Sequence, residues 1–271
     1  MVQSINNNSL SLGLLQGLDR AQNTQETALG RISTGKQVNS AADNAAGLAI
    51  IERFTSQIDG FSQAIRNTSD GISFSQVAES GIGSISEDIQ RIRELSIQSA
   101  NGSLSDNDRA NLQSEVGQLQ DEIGRRLDQT SFNGVDIFKE EAEISFQVGA
   151  NANDTIELST QDLTEDLASV LTVDISTQAG AQDALSDIDD ALETLNDTRV
   201  DFGAVANRFE STVSNLQNNR INSEDARSRI QDADLAKEVS ELIKGNIQQQ
   251  SGIAVQSQAN SNAELLLRLL S

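Results

Sequence analysis

The chain contains no His, Cys, Trp, Tyr or Pro, and only eight Phe among 271 residues. Without imidazole or thiolate there is no general base or nucleophile of those kinds and no His/Cys ligand set for zinc or blue copper. Catalysis would have to rest on Ser, Thr, Lys and carboxylates. Lack of Cys excludes a disulfide framework, so stability outside a cell must come from helix packing and oligomerisation. Lack of Pro leaves long helices uninterrupted, since Pro removes a backbone donor and clashes with the preceding turn. No run of eighteen apolar residues occurs, which excludes a spanning helix and membrane insertion. Met1 to Leu15 has neither a basic start nor a continuous apolar core, so no Sec-type leader is expected there and export would need another route.

Positive charge is scarce as well. Nineteen Lys and Arg stand against 41 Asp and Glu, a net charge of -22, and such a surface repels nucleic acid and anionic lipid. Copies brought side by side repel one another too, so self-association is expected to need salt screening.

What the chain does have is regular apolar spacing. Ala181, Leu185, Ile188, Leu192, Leu195, Phe202, Ala206, Phe209, Val213 and Leu216 follow an alternating four-three step, broken only at Arg199 and closed at Arg220. An average step of 3.5 keeps one seam on a slightly underwound helix built to lie against other long helices. From Ala181 to Arg220 that helix would run about 60 Å. The same spacing predicts a helix from Leu14 to Ile32, too thinly apolar to stand alone, and another after Ser40, where Asp43 completes a capping-box spacing. In the latter, Ile51, Phe54, Ile58, Phe61, Ile65 and Ile72 give way to Ala78, Ile82, Ile85, Ile89 and Ile92 after a three-residue phase change, a stammer expected to shift the seam around the helix. Ser105 is expected to cap a third helix carrying Leu112, Val116, Leu119, Ile123 and Leu127.

Past the Asn133-Gly134 turn the period changes to two. Ile144, Phe146 and Val148 predict one strand, Ile156 and Leu158 the next, and residues 149–153 the hairpin loop. Asp162 to Ile175 reads neither way. Asn222-Ser223 offers a cap where the chain restarts toward Leu235, Val239, Leu242, Ile243 and Ile247. A Gln, Ser and Asn-rich stretch then leads to Leu265, Leu266, Leu267, Leu269 and Leu270. Both ends are helix-prone yet short of burial, so they are expected to order only when partners supply the missing face.

Candidate chemistry is sparse. Asp187, Asp189, Asp190 and Glu193, and Glu140, Glu141 and Glu143, lie on one helix or one loop rather than across a substrate-sized gap. Asp106, Asp108 and Asn111 crudely suggest a calcium loop but lack the Gly and bidentate Glu of an EF-hand, and Ser105 capping explains them better. Gly81-Ile82-Gly83 has no strand before it and reads as close helix packing. No enzyme activity, cofactor or metal is expected.

Several segments together resemble bacterial flagellin: residues 31–36 with 38–50, 90–95 with 98–101, Phe132-Asn133-Gly134, 146–150, 176–181 and 229–234. The resemblance spans essentially the whole chain. It implies a mainly α fold, a long antiparallel coiled-coil rod with a short β-hairpin and paired N- and C-terminal helices. Residues 1–44 and 231–271 would be the polymerisation domain forming an inner tube, and 45–230 the rod with its hairpin near 140–160. Fewer than twenty residues separate Leu158 from Ser176, leaving no room for a large outer domain.

The function implied is that of a structural subunit polymerising into an extracellular flagellar filament for motility. A hook-filament junction protein, which shares the terminal architecture, is the alternative. Inner-tube contacts would come from Leu14, Leu18, Ile32, Leu235, Val239, Leu242, Leu266, Leu267 and Leu270. Partners implied are other copies of the chain, an export chaperone at the C-terminus, and hook-associated and cap proteins. Arg91, Leu95 and Glu115 match the patch recognised by Toll-like receptor 5, although the exposed Arg91 and Glu115 also suit packing between subunits.

Overall fold

The computed structural model describes the backbone of residues 9–270 and the side chains of residues 11–262. Its elements are α1 (Ser9–Thr34), α2 (Ala41–Ser99), α3 (Asp106–Gln129), β1 (Ser131–Phe132), β2 (Val135–Asp136), β3 (Glu143–Gln147), β4 (Thr155–Ser159), α4 (Leu163–Asp166), α5 (Ala168–Leu171), α6 (Gln178–Gln231) and α7 (Leu235–Leu270). Two compact units divide the chain: Gln57–Ile221, and Met1–Ser56 together with Asn222–Ser271.

In the Gln57–Ile221 unit, α2 and α6 lie antiparallel, as shown by Arg93 Nε on Asp189 Oδ1 at 2.7 Å and Arg199 Nη2 on Glu79 Oε1 at 3.1 Å. Their seam follows the four-three step, and α3 packs alongside through Val116, Ile123 and Leu127. The phase change expected between Ile72 and Ala78 is absent there; the buried line keeps one heptad phase from Ala64 onward, after a six-residue step from Ile58. The buried line runs Ile58, Ala64, Thr68, Gly71, Phe74, Ser75, Ala78, Ile82 and Ile85, while Phe61, Ile65 and Ile72 are only half-buried. Small and hydroxyl residues carry the seam there because Phe209 stands opposite: a Cβ at Gly71 would come within 2.7 Å of its ring. Each hydroxyl is satisfied within its own helix, Thr68 Oγ1 donating to Ala64 O at 2.7 Å and Ser75 Oγ to Gly71 O at 3.0 Å. Arg199 is likewise no seam residue. Thr198 takes that place, with its hydroxyl bonded to Thr194 O and Gln161 Oε1.

Ser105 caps α3 as expected, and Asp108 completes a reciprocal capping box. The β-rich part forms two antiparallel hairpins. Asn133 and Gly134, both at positive φ (50° and 82°), turn β1 into β2, the geometry an Asn-Gly pair favours. In the larger hairpin Ile144 pairs with Leu158 and Phe146 with Ile156, which sets the apolar face on the helices. Phe146 meets Phe209 edge-on at 5.4 Å, and Phe74 meets Phe132 at 5.7 Å and Phe146 at 6.3 Å. The stretch 162–175 resolves into two single helical turns, α4 and α5. It has no period because α3 glutamines hold its backbone: Gln120 Nε2 donates to Val170 O and Val173 O, and Gln113 Oε1 accepts from Ile175 N.

In the other unit, α1 ends on Gly35 in the left-handed region (φ 69°), with Gly35 N on Arg31 O at 2.8 Å. The connector after it pairs with the connector before α7, Gln37 N donating to Gln231 O and Ala233 N to Gly35 O. Asp43 accepts from Asn39 N, Ser40 N and Ser40 Oγ, and Asn44 breaks the helical dihedrals (φ -163°, ψ 95°) before its side chain caps Gly47 N. Asn222-Ser223 does not cap a helix. α6 continues to Gln231, and Asp234 caps α7 instead through Ala236 N and Lys237 N.

Candidate assembly surface

The helices expected to pair do so: α1 and α7 lie side by side. Their seam is narrow and mostly small or polar. Ala21 and Ala28 are buried on α1. A Cβ at Gly245 would come within 2.7 Å of the Gln25 side chain, and one at Gly252 within 2.9 Å of Leu18, so both glycines let the backbones approach. Across this seam Gln25 Nε2 donates to Asn246 Oδ1 at 3.1 Å and Gln256 Nε2 to Ser11 Oγ. Arg31 Nη1 meets Glu238 Oε1 at 3.2 Å, and the Glu238 residue is only 6% exposed.

The large apolar side chains point elsewhere. Leu12, Leu15 and Leu29 on α1, and Leu235, Val239, Ile243, Ile247, Ile253 and Val255 on α7, are exposed. Leu235, Val239, Ile243 and Ile247 follow one another at steps of four, which draws a single stripe along one face of the helix. Exposed side chains of this size gathered on two paired helices form the kind of apolar surface that marks an interaction site.

Of the sequence-derived contact residues, Leu14, Leu18, Ile32 and Leu242 are half-buried on or beside the α1–α7 seam. Leu235 and Val239 belong to the exposed stripe. The side chains of Leu266, Leu267 and Leu270 lie outside the described residues. Sequence reading missed Arg31–Glu238 and Gln25–Asn246, since an apolar count passes over polar partners. Their signal was the polar positions at seam spacing, 25 and 238 among them.

On the Gln57–Ile221 unit, Arg91 donates from Nε and Nη2 to Glu115 Oε1 at 3.0 and 2.8 Å and from Nη1 to Glu94 Oε2 at 2.9 Å. The Glu115 carboxylate, then that of Glu94, holds the guanidinium above its ordinary range. Arg91 is exposed and Glu115 half-exposed, but Leu95 is 1% exposed and faces the core beneath them. Asp187, Asp190 and Glu193 stand exposed along α6, and Asp189 is engaged by Arg93, which lowers its carboxyl. Asp108 is the capping-box acid, lowered by the Ser105 hydroxyl. Gly81 packs against Phe138 and Thr130. Among the described residues no three acidic side chains are arranged to hold a metal ion, and no helix is long and apolar enough to cross a membrane.

Comparison with known proteins agrees with this geometry. Residues 5–143 match the bacterial flagellin N-terminal helical region and residues 185–270 the bacterial flagellin C-terminal helical region. The chain is 39% identical to a flagellin of Halalkalibacterium halodurans, over 98% of this chain and 99% of that one. It is 36% identical to the flagellar filament 33 kDa core protein of Treponema phagedenis, over 98% and 99%. The crystal structure of Bacillus cereus flagellin superposes with a TM-score of 0.52 at 31% identity, covering 56% of this chain and 88% of that one.

Proposed function

This chain belongs to the bacterial flagellin family, and from that premise we propose how it builds its polymer: the apolar stripe on the paired terminal helices is the surface on which copies meet. The protein is a non-enzymatic structural subunit of the extracellular flagellar filament and polymerises with itself. Residues 1–44 and 231–271 act as the polymerisation domain and 45–230 as the rod domain. One observation carries this reading: α1 and α7 bury small and polar residues against each other and leave Leu12, Leu15, Leu29, Ile243, Ile247 and Ile253 in water. Covering one such side chain is worth about 1.5–3 kcal/mol. Contacts that relate copies head to tail without closing into a ring generate an open helical fibre.

Ile243→Asp and Ile247→Asp test this directly, because both positions are exposed and the substitutions leave the α1–α7 seam alone. Monomer helicity should be unchanged while fibres disappear from electron micrographs at concentrations where the wild type assembles. Fibres of wild-type length and number from both variants would refute it. A filament subunit also dominates material sheared from cells, whereas a junction protein is scarce there, so yield separates those two roles.

The same exposed α7 face suits a cytoplasmic export chaperone holding the C-terminus before assembly, and filament ends formed by such subunits suit hook-associated and cap proteins. Recognition of free monomer by Toll-like receptor 5 would rest on Arg91 and Glu115, whose paired charged groups are accessible, with the buried Leu95 shaping the helix face from below. Arg91→Ala should then weaken monomer binding to the receptor ectodomain without altering polymerisation.

A further inference from the structure

We infer that Arg31, Gln25 and their partners Glu238 and Asn246 set the register in which α1 meets α7, and thereby fix which apolar side chains are offered to the next copy. Between the connector bonds at one end, Gln37 N to Gln231 O and Ala233 N to Gly35 O, and the Gln256 to Ser11 bond at the other, the rest of the seam cannot do this. Its small residues repeat at heptad intervals, Ala21 with Ala28 and Gly245 with Gly252, and two helices with matching seven-residue repeats fit almost as well after sliding by seven. A slide in one direction sets Ala21 on Gly252 in place of Gly245, and a slide in the other sets Leu18 on Gly245 in place of Gly252. Neither brings a bulky residue against either α1 position where the glycine contact is kept.

The polar pairs remove that degeneracy. After the first slide Arg31 faces Gly245 and Gln25 faces Ile253, and after the second Arg31 faces Gln231 and Gln25 faces Val239. Either way the Glu238 carboxylate, 6% exposed as a residue and held by Arg31 Nη1 at 3.2 Å, loses its cation. The exposed Asn246 amide loses Gln25 but can turn to water, so the discrimination rests chiefly on Glu238. After the second slide the carboxylate stays against α1 without its cation, which is costly when buried, and after the first it runs past Thr34 at the end of α1 and forfeits the seam contact; the native pair itself adds little net stability over an apolar replacement. Discrimination between registers, rather than added stability, is what such a pair supplies. A slide of seven residues displaces the α7 stripe along α1 by about 10 Å, so Ile243 and Ile247 would no longer stand where a neighbouring copy meets Leu12, Leu15 and Leu29. These residues are therefore specificity-determining for assembly, an inference that rests on the terminal helices being the polymerisation surface.

Absence of cysteine makes register measurable. Full-length chains carrying Leu18→Cys with Gly252→Cys report the native register by disulfide formation, since a Cβ at 252 lies 3.2 Å from Leu18 Cγ, one bond from its Cβ. Chains carrying Leu18→Cys with Gly245→Cys report the slid one. On these backgrounds R31E and E238R are introduced singly and together, with helicity followed by circular dichroism. Each single charge reversal should lower the native cross-link about tenfold or more, the scale of losing a buried pair, with loss of fibres. The double reversal should restore both. Native cross-linking at wild-type yield in both single variants would overturn the inference, as would a double variant no better than the singles. If the unreversed chain cross-links natively in the monomer yet forms no fibres under any condition, it is the assembly reading that fails, and the cross-link yields still decide the register.

Discussion

Phe209 shows how much one side chain organises. It is fully buried, edge-on to Phe146, and closes over a glycine on the facing helix. Phe209→Ala should cost about 3–5 kcal/mol, read as a lower urea midpoint by circular dichroism because the chain has neither Trp nor Tyr to report by fluorescence. A loss under about 0.5 kcal/mol would mean the ring is not buried. Arg109 makes a less visible contribution. It is 5% exposed, and its guanidinium donates to the carbonyl oxygens of Ser99, Asn101 and Leu104, gathering the end of α2 and the turn that follows. Arg109→Ala leaves three carbonyls without that donor and should cost about 3 kcal/mol, since hydrogen bonds from charged groups contribute roughly 1.5–3 kcal/mol each and are not additive. Arg109→Lys should recover part of this, a point charge reaching fewer of the three oxygens. Phe209 was legible in the sequence because apolar spacing marks it. Arg109 was not, because nothing in a pattern of apolar residues says that a cation will turn inward to satisfy carbonyls.

At the scale of the element, helix ends depend on carboxylates, and that makes them sensitive to acid. The Ser40 amide, then its hydroxyl, holds Asp43 below the usual range, the Ser105 hydroxyl does the same for Asp108, and the Arg125 guanidinium brings Glu122 down to about 2. A carboxyl with a depressed folded value stabilises the fold above its unfolded value, near 4. That contribution is lost as pH falls through the folded value. Asp88 runs the other way, since burial raises its carboxyl against the pull of Arg126, so its protonation relieves strain as the solution is acidified. Asp174, bonded to Ser176, and Asp189, bonded to Arg93, are lowered too, so with five lowered groups against one raised, helicity and urea resistance should decline between about pH 4.5 and 2. Ser105→Ala should cost about 1 kcal/mol at neutral pH and show a smaller loss on acidification, because Asp108 then has less to lose. An equal acid loss in both chains would contradict the assignment. The caps at Ser105 and Asp43 and the hairpin from Glu143 to Ser159 could be read from spacing alone. The α2 seam between Ala64 and Ala78 could not, because Thr68, Gly71 and Ser75 count as polar or neutral until Phe209 is known to lie opposite. The end of α6 is hidden for a different reason: Asn222 and Ser223 are good capping residues that a continuing helix simply carries along its length.

Over the whole molecule, charge is divided as unevenly as apolar surface. Residues 1–56 with 222–271 carry nine Lys and Arg against eleven Asp and Glu, while residues 57–221 carry ten against thirty. Nearly all of the net charge of -22 therefore belongs to the second group, and the exposed apolar stripe belongs to the first. Copies can thus meet through terminal helices that are close to neutral, with little to repel them, while any approach of the Gln57–Ile221 units within about 10 Å is opposed at low ionic strength. Salt should then promote assembly by screening the acidic unit, and the effect should be removable there without touching the terminal helices. Replacing the exposed Glu140, Glu141, Glu143, Asp187, Asp190 and Glu193 by Gln or Asn takes away six negative charges and none of the ion pairs seen in the structure. Such a chain should form fibres at several-fold lower salt than the wild type, whereas removing Leu265–Ser271 should abolish fibres at every salt concentration by taking away apolar anchor rather than charge. Light scattering across a salt series separates the two effects. If neutralisation leaves the salt threshold where it was, repulsion between the acidic units does not control assembly, and the dependence has to be sought among the few charges of the terminal helices.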